Sequence, residues 1–123
     1  MNQEREISRK YKRKEEKYSP PQIKVSMKDG VVSCIPEKQY VDPEETITWY
    51  SEHPFAIHFI SNSPVQGIAF RSEKKEDGRH YIESVVIRAG RGMTARYCVA
   101  CSDGELVDID DPVIIYPRTG PGG

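Results

Sequence analysis

Apolar and polar residues alternate with a period of two along most of the chain, which is the signature of strands with one face against a core. Gln22 to Met27 places Ile23 and Val25 on one side, and the Asp29-Gly30 dipeptide after it predicts a tight hairpin into Val31 to Ile35. Glu45 to Tyr50 is rich in β-branched and aromatic residues, with Ile47 and Trp49 sharing a face and Trp49 expected in the centre of the core. Phe55, Ile57 and Phe59 alternate with Ala56, His58 and Ile60 and give the clearest strand. Gly67 to Phe70 is expected as a short edge strand and the charged run Ser72 to Arg79 as a solvated turn around Asp77-Gly78. Tyr81 to Arg88, Thr94 to Ser102 and Val113 to Tyr116 complete the set.

Prolines and glycines punctuate this pattern. Ser19-Pro20-Pro21 ends an N-terminal arm, because proline blocks helix continuation and favours extended chain. His53-Pro54, Asn62-Ser63-Pro64 and Gly90-Arg91-Gly92 mark turns between strands. Seven or eight short strands and no amphipathic helix predict an all-β Greek-key sandwich over residues 22–117, with a basic flexible arm at 1–21 and a Gly/Pro tail at 118–123. At 123 residues, with 37% hydrophobic positions and eleven aromatics, the chain has material for one modest core and no room for a second.

The net charge of -1 asks for neither nucleic acid nor an anionic surface, but the charge is uneven. Residues 1–17 hold seven Lys/Arg against four Glu, so the remainder is net acidic. The arm has too few apolar residues, Ile7, Tyr11 and Tyr18, to make a signal peptide, and no stretch approaches the roughly 20 apolar residues of a membrane span. The expectation is a cytoplasmic protein whose three cysteines are free thiols.

Several segments together resemble small bacterial cupredoxin-like proteins: Val41-Asp42-Pro43-Glu44-Glu45-Thr46-Ile47-Thr48-Trp49, Pro54-Phe55-Ala56-Ile57-His58-Phe59, Ser63-Pro64, Tyr97-Cys98-Val99 and Asp111-Pro112-Val113-Ile114-Ile115. The resemblance spans most of residues 22–117 and implies a cupredoxin-like sandwich. It rests on core and turn positions, which speak for fold more than for function.

What the same resemblance implies about copper is a loss. Cupredoxins hold the ion with an early histidine and a late loop supplying Cys, His and usually Met. Phe55 stands where the first histidine is expected, Cys98 follows Tyr97 as the family cysteine often does, Cys101 stands where the second histidine is expected, and Ser102 to Asp108 has no methionine. No blue copper site is expected, and no cofactor.

Other chemistry has little footing in the residues. Cys98 and Cys101, with His58 as a third donor, are the candidates for a soft metal half-site or a redox pair, but on one continuous strand their odd offset points them to opposite faces. Cys34, Trp49 and Cys101 fall in the order of an immunoglobulin pin, yet Val99 replaces the corner tyrosine. His53, His58 and His80 have no acid or nucleophile fixed beside them by spacing, so no enzyme is expected. Asp108-Ile109-Asp110-Asp111 clusters carboxylates without the glycine and spacing of a calcium loop. The arm, with tyrosines among its basic residues, is a candidate contact for phosphates or an acidic partner, although its glutamates dilute it and nucleic acid is not expected. The leading function is a non-catalytic module binding a protein partner through a face, edge or loop. Two alternatives stay open: a ubiquitin-like modifier or carrier acting through the Gly122-Gly123 end, with Gly123 as the conjugated residue, and a metal or redox protein using Cys98 and Cys101.

Overall fold

In a computed structural model of the chain, residues 20–87 and 94–115 are described. They form eleven strands and no helix: β1 (Gln22–Lys28), β2 (Val31–Ile35), β3 (Lys38–Tyr40), β4 (Thr46–Ser51), β5 (Phe55–Ser61), β6 (Ala69–Arg71), β7 (Glu73–Lys74), β8 (His80–Val85), β9 (Thr94–Ser102), β10 (Val107–Asp110) and β11 (Val113–Ile115). One sheet runs β2-β1-β4-β8-β7 and the other β3-β11-β9-β5-β6, with β10 also paired to β9. Sheet neighbours are mostly not chain neighbours, and β1 lies parallel to β4 and β11 parallel to β3. The molecule is thus a Greek-key β-sandwich, as the alternating pattern predicts.

The strand count departs from the expected seven or eight by three short additions, β3, β7 and β10. Each has two to four residues, and each is held by hydrogen bonds to a neighbouring strand, β3 to β11, β7 to β8 and β10 to β9. The run expected as a solvated turn therefore opens with β7, and only the reversal at Lys75–Arg79 is turn. The expected strand over Tyr81 to Arg88 begins one residue earlier, at His80, and ends at Val85. The arm and the Gly/Pro tail lie outside the described residues, apart from Pro20 and Pro21.

The core is made by the inward side of each strand. Ile23 and Val25 of β1, Ile47 and Trp49 of β4, Phe55, Ile57 and Phe59 of β5, and Ala95, Tyr97, Val99 and Cys101 of β9 are all buried. Trp49 is fully buried, stands edge-on to Phe59 and Tyr97, and donates its indole N–H to the Tyr97 hydroxyl at 3.2 Å.

Two corners join the sheets. The chain passes from β6 to β7 through Ser72, whose N–H donates to the Phe55 carbonyl while its hydroxyl accepts the Phe55 N–H, both at 2.9 Å. On the other side β10 lies near β2, and Asp108 accepts the Val32 N–H at 2.9 Å. The carboxylate cluster noted in the sequence thus contributes a structural bond between sheets.

Candidate interaction face

The outer surfaces of the two sheets differ in chemistry, and the difference comes from which residues occupy the second phase of each alternating strand. On β9 the inward set is Ala95, Tyr97, Val99 and Cys101, so Arg96, Cys98, Ala100 and Ser102 point outward. On β5 the outward set is Ala56, His58 and Ile60, and on β6 it is Ala69 and Arg71. The register stacks these into rows, one running Ile109–Ala100–Ala56–Arg71 and the next Cys98–His58–Ala69. Small side chains at Ala56, Ala69, Ala100 and Cys98 leave a shallow hollow of about 390 Å³, rimmed by His58 and Arg71.

A ridge borders the hollow. β10 turns Asp108 and Asp110 inward and leaves Val107 and Ile109 outward, 67% and 63% exposed. Ile60 is 61% exposed on the same face. Strands usually do the reverse, with aliphatics inward and carboxylates in water. The outer surface of the other sheet is polar by contrast, with Lys24, Thr48, Tyr50, Tyr81 and Glu83 among its residues. Its exposed aliphatics Val31, Ile35 and Val85 stand opposite Lys28, Lys24 and Thr46, and Ile87 is exposed two residues beyond Val85. Lys75 there is paired to Glu83 and lies 4.6 Å from the Tyr81 ring centroid.

The residues singled out from the sequence separate. Cys98 and Cys101 lie on the single strand β9 and face opposite ways, Cys98 half-buried on the outer surface and Cys101 buried in the core. His58 is the cross-strand partner of Cys98, and Phe55 is the partner of Cys101. The resemblance set Cys98 in the place of the family cysteine, but it is Cys101 that shares the interior with Phe55, because β9 alternates without a break from Thr94 to Ser102. A phenyl ring offers no donor, and His58 lies outside, so these residues do not fit a blue copper ion. No group of three or more His, Cys, Asp or Glu able to hold a metal occurs among the described residues. Gly123 lies outside them.

The buried thiols are held in the protonated form. Burial pushes Cys34 up to about 12, with Asp110, Cys101 and Glu37 adding to the rise. Burial also raises Cys101, against hydrogen bonds from Ser51 and from the Ser102 backbone. Neither is suited to nucleophilic work, which needs the thiolate. His53 sits at the turn before β5, its backbone N–H donating to the Ser51 hydroxyl at 3.1 Å, and His80 opens β8 opposite Ser51 and Lys74. The described residues contain no helix long and apolar enough to cross a membrane.

Reading the sequence did not single out Val107, Ile109, Ile60 and the alanines as a set. The available signal was the alternation Val107-Asp108-Ile109-Asp110, which has strand periodicity but does not state which phase faces the core.

No family model matches this chain, and no curated protein sequence matches it either. Among solved structures it is similar to an oxidised proline-to-glycine mutant of amicyanin, at 16% identity and a TM-score of 0.43, over 81% of this chain and 86% of that one. It is also similar to the reduced Cu(I) form at pH 4 of another proline-to-glycine mutant of amicyanin, at 17% identity and a TM-score of 0.41, over 78% and 82% of the two chains.

Proposed function

We propose that this chain is a non-catalytic protein-interaction module, a cupredoxin-like sandwich without blue copper, that binds a partner through the outer face of β10, β9, β5 and β6. The observation that supports it is the uncovered apolar surface there, where Val107, Ile109 and Ile60 flank an alanine-lined hollow. Isolated exposed aliphatics are ordinary on any protein, whereas a contiguous patch with polar borders is the usual mark of a binding surface. The flat sheet and its hollow suit a partner side chain seated among small residues, the arrangement that concentrates binding energy at protein interfaces. Free thiols at Cys34, Cys98 and Cys101 accord with work in a reducing compartment such as the cytoplasm.

The test is differential capture from a lysate of the native host with the wild-type chain and with Ala100→Glu. The substituted position points outward, so the fold is retained, while a carboxylate is placed in the hollow. Proteins captured by the wild type are expected to be lost from the variant. An identical set on both, or none on either, removes the face from consideration.

A further inference from the structure

We infer that the partner presents an acidic, apolar segment to this face; the inference rests on the interaction reading above and adds the chemistry of what binds. Its basis is the sign of the charges around the apolar patch. Among the outward residues of β6, β5, β9 and β10, the ionisable ones besides the Cys98 thiol are Arg71, Arg96 and His58, with no carboxylate among them. The two carboxylates that β10 supplies are turned inward, Asp108 onto the Val32 N–H and Asp110 toward Cys34. A chain that is net negative thus carries two guanidinium groups and no carboxylate among the outward residues of these four strands, while the exposed acids nearest in the chain, Asp103, Glu105 and Asp111, stand at the border beside β10.

Neither arginine has an ion-pair partner within 4.0 Å among the described residues, where the two ion pairs are Lys75–Glu83 and Arg79–Glu52. Arg71 closes the row that begins at Ile109, and Arg96 sits two outward positions before Ala100 on β9, beside Ser61 of β5. Strand spacing and rise put their Cα atoms on the order of 15 Å apart on opposite sides of the hollow. An extended segment covers that span in about five residues, so two carboxylates near its ends can reach the guanidiniums while an apolar side chain between them enters the hollow.

The same charges disfavour the other occupants. Two copies packed through this face would bring its arginines together, with no outward carboxylate on the four strands to relieve them. The chain's own N-terminal arm carries seven Lys/Arg in its first 17 residues, the wrong sign for the site. An anionic membrane fits the charge but not the shape, since a flat sheet with a hollow gives bilayer insertion little purchase beyond Val107, Ile109 and Ile60.

The experiment is a selection on the immobilised full chain from a displayed peptide pool with apolar residues at alternate positions and the others randomised. Enrichment of Asp and Glu is expected. An enriched peptide should bind about tenfold more weakly to the Arg71→Gln/Arg96→Gln protein, and the difference should shrink with added salt. Circular dichroism melts establish that the variants are folded, and Arg71→Lys/Arg96→Lys should retain most of the binding. Peptides that are neutral or basic, yet lost on Ala100→Glu, would leave the interaction face standing and overturn the acidic partner. Peptides indifferent to Ala100→Glu, or no selected peptides at all, would overturn both. Arginine-dependent co-sedimentation with phosphatidylglycerol vesicles in place of peptide binding, or self-association lost on Ala100→Glu, would also overturn the inference.

Discussion

Trp49 carries the chain's one indole into the middle of the sandwich, where its N–H has no water to meet and must find an acceptor within the core. Tyr97 supplies it from the facing sheet, and the same ring packs against Phe59 with centroids 5.2 Å apart. Burial raises the pKa of this tyrosine, with Cys34 nearby adding to the rise and the indole hydrogen bond opposing it. Tyr97→Phe keeps the ring contacts and removes the acceptor. It should cost about 1–3 kcal/mol, the range for stranding a buried donor. Urea denaturation should show a lower midpoint with an unchanged slope. An undiminished midpoint would mean that the indole N–H is satisfied in another way.

The β1–β2 hairpin shows how much of an element can be written in two residues. Asp29 and Gly30 have φ of 53° and 77°, the pair of positive angles that a two-residue turn needs to match strand twist. Gly78 also has positive φ, 86°, with open space around it, whereas a Cβ on Gly30 would lie 2.9 Å from Leu106 Cδ1. Gly30→Ala and Gly78→Ala should therefore each cost on the order of 1 kcal/mol for the strained backbone, with Gly30→Ala the larger because Leu106 must also move. Thermal melts of the two variants compare them directly, and equal losses would show that Leu106 yields freely. This hairpin was legible in the sequence, as were β4, β5 and β9, since long alternating runs and an Asp-Gly turn each have one good local solution. The opposed facing of Cys98 and Cys101 followed from the same alternation. The short strands were not legible: β3 and β7 have two or three residues, too few to alternate, β3 pairs with a strand distant in sequence, and the four residues of β10 hold as many carboxylates as aliphatics. The apolar face was hidden for a related reason: it joins residues of four strands, and for β10 periodicity alone does not choose the inward phase.

At the scale of the whole molecule, closing two sheets over one core fixes how stability responds to alkali. Cys34, Cys101 and Tyr97 come from both sheets, and all three have pKa values raised by burial as the first cause. Each therefore keeps its proton in the fold at a pH where the unfolded chain releases it. For Cys34 the unfolded value is about 9 and the folded value about 12. Its contribution is fully present below about pH 9 and is lost as pH rises toward 12, because the unfolded state then binds fewer protons than the native one. The slope is about 1.4 kcal/mol per pH unit for each such group, and Tyr97 joins above its ordinary value of 10. Stability measured by urea unfolding should therefore change little through Cys34 near neutrality and fall with growing steepness beyond about pH 9. Cys34→Ala lowers the level everywhere by emptying core volume, but its diagnostic effect is on slope, since it removes one proton from the difference between the states. A Cys34→Ala curve running parallel to the wild type through the alkaline range would show that this thiol ionises as readily in the fold as outside it, and that the sandwich is more open at the Cys34–Asp110 corner than its packing implies.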